Sequence, residues 1–232
     1  IGVGCMRFLL TGSTGKLGQA LLPALHQSLQ FSGAEIVALC NHRLLAEMPR
    51  VTVLRGSLSD PDAVARAMAG VTHVIHMAAV KESPDLAFEV ALKGMFRLLE
   101  QARGNPVFRQ FILIGGDCSV GHMFHRYDAP ITEAAPRRAY PGVYALTKVL
   151  EEVLLEQAQI QYGIDGCILR APWIMEKDDF RYALRFGPDQ FGGPAWTSLL
   201  SPMVLQSLDP DRHIPLMRDL TGAALKRNFI PV

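Results

Sequence analysis

Thr11-Gly12-Ser13-Thr14-Gly15-Lys16-Leu17-Gly18 is the stretch that decides how this chain folds. Before it lies the apolar run Met6-Arg7-Phe8-Leu9-Leu10, which reads as a buried strand. After it, Leu17, Leu21, Leu22 and Leu25 share one face of a helix. A glycine-rich turn between a strand and a helix start is a dinucleotide-binding feature. Gly12 allows the tight turn, Gly15 lets the backbone approach a pyrophosphate with no Cβ in the way, and Gly18 lets the helix pack close to the strand. The N–H groups at the helix start, at the positive end of its dipole, then hold the phosphates. A strand–turn–helix without a ligand has the same local pattern, so the rest of the chain has to decide.

The first helix is expected over Lys16 to Phe31, with Pro23 kinking it or delaying its start. Glu35 to Cys40 is a second buried strand, followed at once by Asn41-His42-Arg43. That position faces the adenosine ribose in dinucleotide folds, where an acidic residue binds the 2′-hydroxyl. None is present, so Arg43, Lys16 or His42 can meet a 2′-phosphate instead, and the alternative is a solvated basic loop. Val51 to Leu54 is a third strand, and Asp60-Pro61 marks a helix N-cap with Pro in the first turn. Val71 to Met77 is a fourth strand ending in the small residues Ala78-Ala79, Pro84 to Ala102 a long helix, and Phe108 to Ile114 a fifth strand. A loop from Gly121 to Pro141, a helix carrying Tyr144-Ala145-Leu146-Thr147-Lys148 and a sixth strand at Gly166 to Leu169 complete the alternation. Alternating strands and helices with buried strands imply an α/β fold with a doubly wound parallel sheet. Beyond Pro172 the pattern changes to a Pro-, Gly- and aromatic-rich segment with one helix expected near Ser198 to Leu208.

Composition narrows the function classes. The 232 residues suffice for one α/β domain, and 23 basic against 22 acidic residues leave a net charge of +1, which argues against a nucleic-acid or membrane-surface partner. Cys5, Cys40, Cys118 and Cys167 are scattered, without metal or disulfide spacing, which fits a reducing cytoplasm. No apolar run approaches the roughly 20 residues of a membrane span, and Ile1 to Cys5 lack the features of a signal peptide. His122 and His125 are separated by two residues, with no third ligand nearby, so no metal is expected.

Taken together, T-G-S-T-G-K-L-G, the strand end H-M-A-A, Y-A-L-T-K and L-R-A-P-W-I resemble the extended short-chain dehydrogenase/reductase family, NAD-dependent epimerase/dehydratase type, from Met6 to about Ile174. The resemblance implies a Rossmann-like domain over residues 1–174 and a small substrate-side lobe over 175–232. The closing R-N-F-I-P-V is similar to the start of a later family segment, so the lobe is expected to be incomplete at Val232. It implies NAD or NADP as cofactor, with the missing acidic residue leaning the choice to NADP. The implied cofactor contacts are Gly12, Ser13, Thr14, Gly15, Lys16, Leu17, Gly18, Asn41, His42, Arg43, Ser57, Leu58, Met77, Ala78, Ala79, Ile114, Tyr144, Lys148, Ala171, Pro172 and Trp173.

Tyr144 and Lys148, four apart, point to one helix face, where a cation favours phenolate. The resemblance implies that Tyr144 exchanges a proton with a substrate hydroxyl or carbonyl and that Lys148 binds the nicotinamide ribose. Three positions depart from the family. Asp117 stands where a Ser or Thr is usual, with Ser119 the nearest hydroxyl; Ala91 replaces a central-helix Asn; and Ser57 replaces Asp. Asp117 is expected either to act as a further acid/base group or anchor, or to turn aside and leave Ser119 to act. The implied activity is that of an NAD(P)-dependent oxidoreductase or epimerase on a sugar-nucleotide or small secondary-metabolite substrate. The alternative is a nucleotide-binding regulatory or partner protein with altered or lost catalysis. A homodimer is implied through the helices at Pro84–Ala102 and Pro141–Gln161.

Overall fold

Six segments pair in parallel into one sheet: β1 (Arg7–Thr11), β2 (Glu35–Cys40), β3 (Val51–Arg55), β4 (His73–His76), β5 (Gln110–Gly116) and β6 (Gly166–Ala171). Their spatial order in the computed structural model is β3-β2-β1-β4-β5-β6, the doubly wound dinucleotide-binding order, in which strand succession reverses beside β1. The structure describes residues 6–122, 125, 127–175 and 229–231. Helices α1 (Lys16–Gln27), α2 (Pro61–Met68), α3 (Pro84–Leu86), α4 (Lys93–Arg103) and α5 (Val143–Tyr162) connect the strands.

Alternation along each strand divides the core in two. Leu9, Val37, Leu39, Val74, Phe111 and Leu113 face the side covered by α2, α4 and α5, where Val64, Met68, Met95, Leu98 and Leu155 complete one cluster. Phe8, Leu10, Ile36 and Ile75 face the other side, against Leu22 and Leu25 of α1. Burial on both faces explains why the strands read as continuous apolar runs rather than alternating ones. Each fully buried Leu or Phe contributes about 2 kcal/mol of transfer free energy.

Local signals set the boundaries. Asp60 caps α2 by accepting the Asp62 N–H at 2.9 Å, with Pro61 at the first helical position. Gly163, at φ +68°, ends α5 in the left-handed conformation. The first helix differs from expectation: it runs through Pro23 but stops at Gln27, and Leu29–Phe31 form a separate 3-10 turn after the extended Ser28. The long helix expected over Pro84–Ala102 is interrupted by a π-helical stretch, Ala87–Leu92, between α3 and α4.

Beyond the sheet, β7 (Trp173–Met175) pairs in parallel with β8 (Phe229–Pro231). The expected domain boundary at residue 174 thus falls inside a paired strand. The helix expected near Ser198 to Leu208 lies outside the described residues.

Candidate active site at the carboxyl edge of the sheet

The carboxyl ends of β1 and β4 are laced together. Met77 N–H donates to Thr11 O at 3.1 Å, and Ala78 N–H to Thr11 Oγ1 at 3.3 Å. The glycine turn lies against this edge. A Cβ on Gly12, itself at φ +73°, would sit 2.6 Å from Ala78 N, and one on Gly18 would strike the backbone of Ser13. Both positions therefore exclude a side chain on packing grounds. Gly15 is different: its φ of −80° suits any residue, and a Cβ there meets only Gly12 O, at 3.2 Å.

Gly15 is the N-cap of α1, no side chain caps that end, and no acidic residue lies in the first turn. The backbone N–H groups at a helix start lack intrahelical acceptors, and nothing negative from this chain's first turn answers them. An uncapped, positive helix end at the switch point of the sheet fits the pyrophosphate of a dinucleotide. Ser13 is enclosed, its hydroxyl 3.5 Å from Cys40 Sγ, while Thr14, Lys16 and Leu17 are half-buried around the turn.

After β2, Asn41, His42 and Arg43 are all exposed, and Cys40 is buried beneath them. Ser57 folds its hydroxyl back to the Ser59 N–H at 3.1 Å, and Leu58 is buried. Met77, Ala78, Ile114, Ala171 and Pro172 are half-buried along the same edge, with Ala79 exposed.

Tyr144 and Lys148 project from the first two turns of α5, whose start is held by an unanticipated residue. Glu82, from the loop after β4, accepts the Val143 N–H at 2.9 Å, a carboxylate at the positive end of the helix. Lys148 is almost wholly buried; its ammonium donates to Ile114 O at 3.1 Å and to Glu151 Oε2 at 2.8 Å, and lies 5.8 Å from the centre of the Tyr144 ring. Burial raises the Tyr144 phenol above its ordinary range, and Cys118, Glu151 and Asp117 push it further the same way. Burial, with the charge of Asp117, pushes the Cys118 thiol up to about 12. His76, fully enclosed beneath the turn with Nδ1 2.7 Å from Thr11 Oγ1, is lowered to about 3, by burial first and by Lys148 second.

The structure brings Tyr144, Lys148 and Asp117 together, with Asp117 Oδ2 3.8 Å from His122 Nε2. It places Ser119 elsewhere. That hydroxyl is fully enclosed, 2.6 Å from Glu152 Oε1 and 2.9 Å from Gly116 O, and both bonds turn it toward the interior. Glu152 also receives both Arg170 Nε at 3.0 Å and Nη2 at 2.9 Å, with Arg137 Nε at 3.4 Å. Arg170 in turn holds the loop at Glu133 O, and Arg138 N–H donates to Ser119 O at 2.8 Å. Glu82, Glu151, Glu152 and Arg170 all escaped the sequence reading. For Glu151 a signal was there: it stands three residues beyond Lys148 and seven beyond Tyr144, on one helix face.

Among the described residues no group of three or more His, Cys, Asp or Glu is placed to hold a metal ion, and no helix is long and apolar enough to cross a membrane.

Comparison with known proteins agrees with this geometry. The model of the NAD dependent epimerase/dehydratase family matches residues 8–175. The L-arabinose 1-dehydrogenase (NAD(P)(+)) of Haloferax volcanii is 26% identical over 189 residues, covering 75% of this chain and 70% of that protein. Among solved structures, a short-chain dehydrogenase/reductase superfamily protein from Agrobacterium tumefaciens with bound NAD superposes with a TM-score of 0.63 at 28% identity, covering 73% of this chain and 50% of that one. The UDP-glucose 4-epimerase of Thermus thermophilus in complex with NAD gives 0.64 at 27% identity, covering 74% and 56%. The chain thus spans about half the length of these two structures.

Proposed function

This chain belongs to the NAD-dependent epimerase/dehydratase family, and from that membership we propose that it is an NAD(P)-dependent oxidoreductase or epimerase acting on a hydroxyl or keto group of a sugar-type substrate. The observation that carries the reading is the placement of Tyr144 and Lys148 beside the end of β5, on the same sheet edge as the uncapped start of α1. The relatives' activities, on arabinose and on UDP-glucose, support sugars as the substrate class.

The turn Gly12–Gly18 holds the pyrophosphate through backbone N–H groups, Arg43 meets the 2′-phosphate of NADP, and Ser57 with Leu58 borders the adenine. Met77, Ala78, Ala79, Ile114, Ala171, Pro172 and Trp173 border the nicotinamide end. When bound, the nicotinamide accepts or returns a hydride. Tyr144 takes the proton from the substrate hydroxyl at its phenolic oxygen and gives it back in the reverse direction. Lys148 has two of its three ammonium protons committed to Ile114 and Glu151, and the third serves a ribose hydroxyl. Asp117 replaces a neutral hydroxyl beside Tyr144 and anchors a substrate hydroxyl there.

The test is turnover of the protein with NAD+ or NADP+ against free aldoses, uronic acids and nucleotide sugars. Formation of reduced nicotinamide reports oxidation, and chromatography of the sugar reports epimerisation. Wild type is expected to turn over one class, with Tyr144→Phe slower by about 100-fold or more. Equal rates in the two proteins refute the role of Tyr144. Cofactor binding without turnover of any class would favour the nucleotide-binding regulatory reading.

A further inference from the structure

One feature of the site exceeds what the Tyr–Lys pair requires. The Glu151 side chain is 1% exposed and the Lys148 side chain 2%, and the two make an ion pair at 2.8 Å in the interior. Glu151 Oε2 takes this contact, while Oε1 is enclosed with no hydrogen-bond partner among the described residues. A buried carboxylate with one oxygen unanswered is costly. Replacing such a buried pair as a whole by well-packed apolar residues is often neutral or stabilising, whereas removing Glu151 alone would leave the Lys148 ammonium buried against one neutral acceptor.

We propose that Glu151 is a positioning residue for the Tyr144–Lys148 pair: its carboxylate grips the Lys148 ammonium from within the core and fixes where that ammonium stands relative to the phenol and to a bound ribose. The proposal rests on the functional reading above, since it gives Lys148 a ribose to meet. The ammonium is held at two points, Glu151 on its own helix and Ile114 O at the end of β5. Ile114 O alone is a single neutral acceptor, whereas a carboxylate roughly doubles the strength of the hydrogen bond.

Charge gives Glu151 a second effect. It raises the Tyr144 phenol directly, alongside burial, Cys118 and Asp117. The titratable groups of this neighbourhood are Tyr144, Lys148 and Glu152 on α5, Asp117 and Cys118 on the turn after β5, and His76 on β4, which feels Lys148. Glu151, whose own carboxyl is raised by burial against the pull of Lys148, both touches Lys148 and acts on Tyr144. It therefore sets Lys148 in place while making the phenol less acidic, and displaces the working range of Tyr144 to higher pH.

The experiment compares wild type, Glu151→Gln and Glu151→Asp. Gln keeps the shape and an accepting oxygen but removes the charge; Asp keeps the charge. Calorimetric titration with NADH, and with ADP as a probe lacking the nicotinamide ribose, is the first readout. Glu151→Gln is expected to bind NADH about tenfold more weakly, with ADP affinity unchanged. The second readout is the pH profile of kcat/KM for sugar oxidation. Its rising limb is expected to move to lower pH in Glu151→Gln, raising the phenolate fraction at a fixed pH on the order of tenfold, and to return toward the wild-type position in Glu151→Asp. A wild type that binds NADH and turns over, beside a Glu151→Gln protein with unchanged NADH affinity and an unmoved limb, overturns the role of Glu151 and leaves the functional reading standing. A wild type that binds none of NADH, NADPH and ADP overturns the functional reading, and the role of Glu151 with it.

Discussion

Replacing Glu152 by Gln probes the network that carries the wall of the site. The Glu152 side chain is 0% exposed and receives two bonds from Arg170, one from Ser119 and the charge of Arg137. Burial by itself would raise its carboxyl; the bonds from Arg170 and Ser119, with the fields of Arg170 and Arg137, outweigh it and hold the group below its ordinary value of 4.5. Gln turns one of its two accepting positions into a donor that faces other donors, and leaves the Arg170 charge uncompensated. Removing one partner of a buried pair costs about 3–5 kcal/mol, and because the Arg170 side chain is 21% exposed the lower end applies, about 3 kcal/mol. In a domain of this size that lowers Tm by roughly 10 °C. Urea denaturation at neutral pH, with an unchanged m-value, is the assay. Because the folded carboxyl is depressed, its contribution is complete above about pH 4.5 and is lost as pH falls through the lower folded value. The gap between the two proteins should therefore close in acid. A loss below about 1 kcal/mol at pH 7, or a gap that persists in acid, refutes this account of the network.

Three further outcomes are expected. NADP+ should bind more tightly than NAD+, and Arg43→Ala should abolish the difference in parallel titrations; a preference for NAD+ that the substitution leaves alone contradicts Arg43 as the phosphate partner. Asp117→Ser should lower turnover about tenfold or more, read from kcat/KM across pH, whereas a rise would mark Asp117 as a hindrance. Phe88 and Phe96, each about half exposed, and Leu146 on α5 present apolar surface on the helices expected to pair, so light scattering should give a dimer mass at micromolar concentration and Phe96→Glu a monomer.

The sheet was legible because its signals are short-range and redundant. Ile36–Cys40 is five residues of continuous apolar character after Glu35, and the observed β2 runs from Glu35 to Cys40, the limits expected from the sequence. Asp60-Pro61 foretold a cap that the structure contains as a hydrogen bond. The glycine turn was legible in location, but its three glycines proved unequal: Gly12 and Gly18 are demanded by packing, whereas a Cβ on Gly15 meets only Gly12 O, at 3.2 Å. The π-helical break at Ala87–Leu92 left no mark, since no Pro or Gly falls within it. Ser119 was read from its distance in sequence to Asp117, whereas its partner Glu152 is 33 residues away. Long-range pairing of that kind is set by the fold, and Glu152 looks in sequence like any charge on a helix surface. For Glu151 the spacing was visible, but helical spacing puts it near Lys148 without saying that both are buried.

The central claim is that the start of α1 receives the cofactor's pyrophosphate, and Gly15→Val tests it most directly. The Gly15 backbone is extended, at φ −80° and ψ 175°, a region Val favours, and a Cβ there meets only Gly12 O. The fold should therefore survive while the space for phosphate is filled. At 100 times Kd, NADH should stabilise wild type by about 2.7 kcal/mol, read as a rise in Tm, and should leave Gly15→Val unmoved at its own unliganded Tm. An equal NADH-induced rise in both proteins would place the cofactor elsewhere and contradict the account.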